Sequence, residues 1–173
     1  IKTFNSILSI SKVESGTSDL DKNPVSLKEL ILNMHELYEP IADADGIKFN
    51  YEVNEDIIIN GNYNLLSQAL ANLIENAINY GCSNDNPSIN VGAKKNENLL
   101  SLWVSDNGIG IRDADKNKVL ERFVRLDSSR SLKGSGLGLN LVSSAVKFHE
   151  GTLKLINAKP SGLIMLIEIP LDS

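Results

Sequence analysis

The chain has 173 residues, of which 42% are hydrophobic, and it carries a formal net charge of −5 at pH 7. This apolar content is sufficient for the core of one domain plus a short appendage, and it excludes a disordered chain. The interspersed acids and bases argue against nucleic acid as the main partner, and the single cysteine, Cys82, excludes an internal disulfide bond.

The ends of the sequence indicate a piece of a longer protein. The chain starts at Ile1, inside a helical pattern, without an initiator methionine or a secretory signal. No apolar run approaches the roughly 18 residues that a membrane span needs. We therefore expect no direct membrane contact from this segment.

The N-terminal quarter predicts two helices. Apolar residues at near-helical spacing over residues 1–16 indicate the last turns of one helix, and a polar linker closed by Pro24 follows. Ser26 and Glu29 form a capping box that begins a second helix, which is expected to end near Gly46. The predicted apolar stripe of this helix consists of Leu27, Leu30, Ile31, Met34, Leu37 and Ile41.

The rest of the chain alternates strands with longer helices. Strands are predicted at residues 47–53, 57–60, 88–95, 98–106, 152–158 and 162–170. A helix capped by Asn62 should run to Gly81, and a glycine-rich segment should lead into a last helix that ends at Gly151. This order predicts an α+β fold, a two-layer α/β sandwich with a mixed, mostly antiparallel sheet and helices on one face.

Three asparagines lie on one arc of the long helix. Asn72, Asn76 and Asn79 follow the spacing i, i+4 and i+7, and Gln68 and Tyr80 share their side. A solvated helix face is one interpretation. However, asparagine is a poor helix former, and a solvated face should favour Glu or Lys. Neutral amide oxygens are also suitable ligands for a hard cation such as Mg²⁺.

The sequence contains two glycine clusters. One follows a predicted strand, and the other precedes the last predicted helix. In DNGIGI, Asp106 ends a strand, and Gly108 and Gly110 would let a flat ligand approach the backbone. A plain turn is the alternative. In GSGLGL, the glycines directly precede a helix, an arrangement typical of a phosphate site. The segment is neither a dinucleotide fingerprint, because no βαβ unit surrounds it, nor a Walker loop.

A charged stretch, ERFVRLDSSR, separates the two clusters. It is either a surface loop or a lid whose arginines, Arg122, Arg125 and Arg130, meet a terminal phosphate. Residues 128–133 are polar and lack a cap, so we expect this part to be mobile.

In this order and spacing, the motifs resemble those of the catalytic ATP-binding domain of two-component sensor histidine kinases. This family belongs to the GHKL superfamily, which also contains gyrase, Hsp90 and MutL. NLIENAINY is similar to the N box, DNGIGI to the first glycine box, ERFVR to the phenylalanine box and GSGLGL to the second glycine box. The resemblance implies a Bergerat-type ATP-binding fold. Residues 24–173 would form the catalytic domain, and residues 1–23 would be the end of a dimerisation helix plus a linker.

The resemblance also implies a site for ATP and Mg²⁺. Asn76 would hold Mg²⁺, Asn72 would support the phosphates, Tyr80 would stack near the adenine, and Asp106 would accept a hydrogen bond from the adenine amine. The other implied nucleotide-binding residues are Asn79, Gly108, Gly110, Ile111, Gly134, Ser135, Gly136, Leu137, Gly138 and Leu139.

The lid would complete the catalytic set. Arg125 is expected to meet the γ-phosphate, with Arg122 as the second choice, and Phe123 is expected to anchor the lid by packing. The candidate catalytic residues are Asn72, Asn76 and Arg125.

The resemblance implies transfer of the ATP γ-phosphate to a histidine on a dimerisation domain that this chain lacks. From there a response regulator would receive it. Members of the superfamily that hydrolyse ATP carry a glutamate at the position of Asn72, so the Asn72 amide favours transfer to a protein over transfer to water. We expect the isolated chain to be monomeric and to bind ATP with little turnover. The full-length protein is expected to be a cytoplasmic or membrane-anchored homodimer.

The sequence leaves two alternatives open. One is an ATPase of the same superfamily. The other is a degenerate nucleotide-binding module, because Asn79 stands where the family usually has Lys or Arg for the phosphates.

Neither histidine is expected to accept the phosphoryl group. HELYEP resembles the phosphoacceptor motif, but Tyr38 and Glu39 replace its basic residue and its threonine. His35 also lies too close to the N box to leave room for a helical hairpin. His149 is expected to pack or cap at the end of the last helix, and Cys82 is interpreted as an ordinary loop residue.

Overall fold

A five-stranded mixed sheet is the centre of the computed structural model, which describes residues 21–81, 84–120 and 138–171. The strands are β1 (Asn23–Ser26), β2 (Lys48–Glu52), β3 (Ile58–Gly61), β4 (Ser88–Asn96), β5 (Leu99–Asp106), β6 (Thr152–Asn157) and β7 (Leu163–Pro170). The large sheet has the order β2-β4-β5-β7-β6, in which only β2 and β4 pair in parallel. The predicted mixed, mostly antiparallel sheet is confirmed.

The helices pack on one face of this sheet. They are α1 (Leu27–Ala44), α2 (Tyr63–Asn76), α3 (Asp113–Lys116) and α4 (Gly138–Phe148), with a π-helix at Ala77–Gly81 and a 3₁₀ turn at Lys118–Leu120. Burial alternates along β5, so Leu102 and Asp106 point to the same side as the helices. Leu30, Leu70, Val142 and Ile167 belong to the fully buried core between the two layers. The two-layer α/β sandwich is therefore confirmed.

Both predicted helix caps are present. The Ser26 hydroxyl accepts the backbone N–H of Glu29 at 3.1 Å, and Oδ1 of Asn62 accepts that of Leu65 at 3.0 Å. Each bond satisfies a first-turn amide that has no partner inside its own helix. The long helices therefore begin where the local sequence predicts.

The buried face of α1 differs from the predicted stripe. Leu37 is 58% exposed and Ile41 is 48% exposed, while Tyr38 and Ala42 are buried. Burial of Tyr38 is accompanied by a hydrogen bond from its hydroxyl to Glu75 of α2. The placement of Leu37 and Ile41 on the core stripe was wrong, because the buried stripe continues from Met34 to Tyr38 and Ala42 and leaves both residues at its edge.

Two further elements were not predicted. The expected linker around Pro24 forms β1, which pairs antiparallel with β3 in a separate two-stranded sheet. The expected single helix from Asn62 to Gly81 changes at Ala77 from α to π geometry. None of the helices in the described ranges is long and apolar enough to cross a lipid bilayer.

Candidate functional site

The carboxylate of Asp106 is fixed at the end of β5. The residue is 7% exposed, and its Oδ1 accepts the backbone N–H of Gly108 at 2.9 Å and that of Leu163 at 3.3 Å. Burial raises the pKa of the carboxyl group above its ordinary value, whereas the two backbone donors act in the opposite direction. The structure therefore presents a single oriented acceptor in a water-poor position.

Three glycines are packed closely around Asp106. A β-carbon on Gly81 would overlap the Asp106 carboxylate, and one on Gly108 would overlap the backbone of Gly81. A β-carbon on Gly162, whose φ is +116°, would overlap the Asp106 backbone. Three chain segments therefore meet at Asp106 so closely that side chains are excluded. The resulting surface beside the carboxylate is made of backbone.

The loop after β5 is pinned by Asn157, the last residue of β6. The Asn157 Nδ2 donates to the Ile111 carbonyl at 2.9 Å, and the Ile111 N–H donates to Asn157 Oδ1 at 3.2 Å. Between these contacts and Asp106, the side chain of Ile109 is 82% exposed. Sequence reasoning missed Asn157, since its only local signal was an asparagine at a strand end.

The predicted amide row of α2 meets the start of α4. The Asn72 Nδ2 donates to the Gln68 carbonyl at 2.7 Å, and a β-carbon on Gly138 would lie 2.8 Å from Asn72 Oδ1. The structure thus places Asn72 beside Gly138 and its neighbour Leu139, the first two residues of α4. Two motifs that are distant in sequence are therefore adjacent in space.

The remaining residues of the row differ in their surroundings. Asn76 is half-buried, and within the described part of the chain its side chain makes no hydrogen bond. Asn79 is exposed, and its Nδ2 donates to the Glu75 carbonyl at 2.6 Å. Tyr80 is 36% exposed in the π-helix that ends beside Asp106. An asparagine oxygen therefore remains available on this side of α2.

Several predicted site residues lie outside the described residues. These are Cys82, Arg122, Phe123, Arg125, Arg130, Gly134, Ser135, Gly136 and Leu137. The predicted mobile segment 128–133 and the predicted helix over residues 1–16 also lie outside them. Their roles stay predictions.

His35 is packed against β2. Its ring stacks on Phe49 with centroids 5.0 Å apart and meets Tyr51 edge-on at 4.8 Å. Nε2 is 3.2 Å from the Phe49 carbonyl, and the side chain is 13% exposed. This environment favours a structural role over that of a phosphoryl acceptor.

His149 is a buried cap between two helices. The backbone N–H of Asn62 donates to Nε2 at 2.9 Å, so Nδ1 carries the proton and donates to the Ala145 carbonyl at 2.7 Å. Burial lowers the pKa of His149, and the charge of Lys22 lowers it further, while the bond to Ala145 acts in the opposite direction. The neutral ring joins the end of α4 to the start of α2.

Comparison with known proteins gives one family and several relatives. The family model described as histidine kinase-, DNA gyrase B- and HSP90-like ATPase matches residues 61–173. An uncharacterized sensor-like histidine kinase of Rhizobium meliloti is 32% identical over 177 residues, which are 100% of this chain and 33% of the relative. The autoinducer 2 sensor kinase/phosphatase LuxQ of Vibrio cholerae is 31% identical over 180 residues, 99% of this chain and 21% of the relative.

A solved structure has the same fold over most of its length. The nucleotide-free catalytic domain of histidine kinase ThkA superposes with a TM-score of 0.77 at 25% identity, covering 87% of this chain and 96% of that one. In contrast, this chain spans 33% of the Rhizobium relative and 21% of LuxQ. The likeness therefore concerns one part of these longer kinases.

Proposed function

Because this chain belongs to the histidine kinase-, DNA gyrase B- and HSP90-like ATPase family, we propose that it is the ATP-binding catalytic domain of a sensor histidine kinase. In this role it presents the γ-phosphate of ATP to a histidine on a dimerisation domain. A response regulator then receives the phosphoryl group. The observation that carries the proposal is the oriented carboxylate of Asp106 in its glycine-lined surroundings.

Adenine recognition follows from the chemistry of Asp106. A carboxylate accepts hydrogen bonds only, so it pairs with the exocyclic amine of adenine and repels the carbonyl oxygen that guanine carries at that position. Glycine at positions 81 and 108 lets the end of the π-helix pack directly against Asp106 and so fixes the carboxylate. The site is therefore expected to prefer ATP over GTP.

The phosphate side of the site fits the junction of α2 and α4. Asn72 supports the phosphates there, and Gly138 and Leu139 supply the amide end of α4, whose dipole favours anions. Arg125, with Arg122 as the second choice, is proposed to meet the γ-phosphate, and Gly134, Ser135, Gly136 and Leu137 are proposed to complete the cradle.

Asn76 fits Mg²⁺ as a neutral oxygen ligand. The described residues contain no group of three His, Cys, Asp or Glu side chains that would cage a metal by themselves. Mg²⁺ commonly keeps waters and substrate phosphates as ligands, so one amide oxygen suits it. When bound, the ion neutralises phosphate charge. Asn79 and Tyr80 extend this side of the site toward the adenine.

The chemistry of residue 72 favours a protein acceptor. Asn72 has no basic oxygen to activate water, and its amide nitrogen is already bonded to Gln68. The domain then acts by positioning ATP and neutralising charge while the acceptor histidine comes from elsewhere. The dimerisation domain, the response regulator, a homodimeric full-length protein and a cytoplasmic location for this domain are parts of the proposal.

A titration with a fluorescent ATP analogue and Mg²⁺, competed by ATP and by GTP, tests the nucleotide site. We expect ATP to displace the analogue and GTP to fail, and Asp106→Asn to weaken binding by roughly tenfold or more. Asp113→Asn is the matched control, since the Asp113 side chain is 88% exposed. Displacement by GTP as effective as by ATP would refute the assignment of adenine to Asp106.

A second assay tests the acceptor. Radiolabelled ATP is incubated with the chain and a supplied histidine-bearing dimerisation domain. Label on that domain, with little phosphate released without it, is the expected result. Release of phosphate by the chain alone at a comparable rate would instead identify an ATPase.

A further inference from the structure

Tyr38 of α1 forms a partly buried hydrogen bond to α2 beside the proposed nucleotide site. The residue is 7% exposed, and its hydroxyl donates to Oε1 of Glu75 at 3.0 Å. Burial raises the pKa of Tyr38, and the Glu75 carboxylate raises it further, so the hydroxyl keeps its proton and remains a donor at physiological pH.

Glu75 lies at the junction where α2 changes geometry. It directly precedes Asn76, the last residue of α2, and the π-helix begins at the next position. The backbone carbonyl of Glu75 accepts the Asn79 side-chain amide at 2.6 Å, across this junction. Glu75 is thus held by Tyr38 through its side chain and by Asn79 through its backbone. π-helical turns are rare in proteins, and those that occur are often found at functional sites.

We propose that Tyr38 is a positioning residue for the nucleotide site, because through Glu75 it fixes the turn of α2 that directs Asn76 toward the nucleotide. This inference rests on the proposed function of Asn76. Consecutive helix residues differ by about 100° in direction, so restraining Glu75 against α1 also fixes the direction of Asn76. The π-helix that follows then brings Gly81 against the Asp106 carboxylate.

Loss of the Tyr38 hydroxyl is expected to change the orientation of Glu75 as well as to remove one hydrogen bond. The Tyr38 hydroxyl is one of the contacts that orient the Glu75 side chain, so its loss lets the carboxylate shift toward its other contacts and toward water. Such a movement of Glu75 rotates the turn that carries Asn76 and Asn79. Simple packing by the tyrosine ring predicts no such dependence on Glu75, because the phenylalanine ring fills nearly the same space.

The matched control is a second hydrogen bond between α1 and α2. The Asn33 Nδ2 donates to the Tyr63 hydroxyl at 3.0 Å at the start of α2, away from the junction. Tyr63→Phe therefore removes another hydrogen bond between α1 and α2, at the opposite end of α2, without touching Glu75. The control bond is exposed and joins two neutral side chains, whereas the Tyr38 bond is partly buried and ends on a carboxylate.

The experiment measures the dissociation constant of a fluorescent ATP analogue in Mg²⁺ and in EDTA for wild type, Y38F, Y63F, E75A, E75Q and Y38F/E75A. We expect Y38F and E75A to weaken binding in Mg²⁺ by roughly 3- to 10-fold, with a smaller loss in EDTA. Y63F should change binding by less than about twofold. E75Q, whose amide oxygen still accepts from Tyr38, should stay close to wild type.

The double variant separates positioning from packing. If Tyr38 acts through Glu75, adding Y38F to E75A produces no further loss. Wild-type affinity in both Y38F and E75A, or a full effect of Y38F that persists in the E75A background, would overturn the inference while leaving the proposed function intact. Failure of the wild-type chain to bind the analogue would overturn the proposed function and this inference with it. Should Y38F not fold, E75A against E75Q tests the same link.

Discussion

The backbone of Gly81, at the end of the π-helix, lies directly against the side-chain carboxylate of Asp106, at the end of β5. The contact joins the helix that carries the asparagine row to the strand that carries the proposed adenine acceptor. Its closeness leaves no room for a β-carbon, so the geometry of the site depends on glycine at this position.

Gly81→Ala is therefore expected to weaken nucleotide binding. The added methyl group forces the carboxylate or the π-helix to move, and overpacking of this kind costs about 1–3 kcal/mol. Titration with a fluorescent ATP analogue should show a loss of affinity of roughly tenfold.

Gly46→Ala is the control, because Gly46 has φ +69° with nothing within 4 Å of an added β-carbon. It should cost about 1 kcal/mol of stability and leave nucleotide affinity unchanged. Equal affinities for both variants would contradict the role assigned to Gly81.

The buried cap made by His149 predicts loss of stability in mild acid. Its pKa is lowered in the folded state, so the unfolded chain binds a proton that the folded chain resists. The stability it contributes is complete above the ordinary histidine pKa of 6.5 and is lost as the pH falls below that value toward the folded pKa. The slope is at most about 1.4 kcal/mol per pH unit.

Urea unfolding of wild type and His149→Gln between pH 5 and pH 7.5 measures this term. The substitution removes the titration, so the stability difference between the two proteins should shrink as the pH falls. His35→Gln is the companion variant, because it removes the other histidine of the chain and leaves the His149 cap in place. A pH dependence in His149→Gln as steep as in wild type would show that other groups cause it.

The parts of the fold that local chemistry determines could be predicted from the sequence. Ser26 and Asn62 cap α1 and α2, because a short polar side chain can reach a first-turn amide of its own helix without contacts from distant residues. The strand predicted over residues 98–106 likewise ends at Asp106, where a glycine-rich segment begins. These predictions need only a few consecutive residues.

The features that depend on distant partners could not be predicted. The hydrogen bond from Tyr38 to Glu75 joins two helices, and no local pattern around either residue marks it. The strand around Pro24 forms by pairing with β3, and the residues near Pro24 carry no sequence signal for this pairing. The structural role of Asn157 depends on the pairing of its side-chain amide with the backbone of Ile111, which the local sequence does not indicate. In each case the deciding contact joins residues that are far apart in sequence.

The pairing of Asn157 with Ile111 yields the last prediction. Asn157→Ala removes both hydrogen bonds that pin the loop after Asp106, at about 1 kcal/mol each. Hydrogen–deuterium exchange should become faster at the Ile111 amide, and the affinity for the ATP analogue should fall by roughly 3- to 10-fold because the loop must be ordered on binding.

Asn90→Ala is the matched control for Asn157→Ala. Asn90 lies on β4, where its Oδ1 accepts the Trp103 indole N–H at 3.3 Å. Burial alternates along β4, with Ile89 and Val91 buried on either side of Asn90, so its side chain lies on the sheet face away from the helices. Its loss should cost stability without changing nucleotide affinity or exchange at Ile111. Unchanged exchange at Ile111 in Asn157→Ala would mean that other contacts hold the loop, and the pinning role of Asn157 would be refuted.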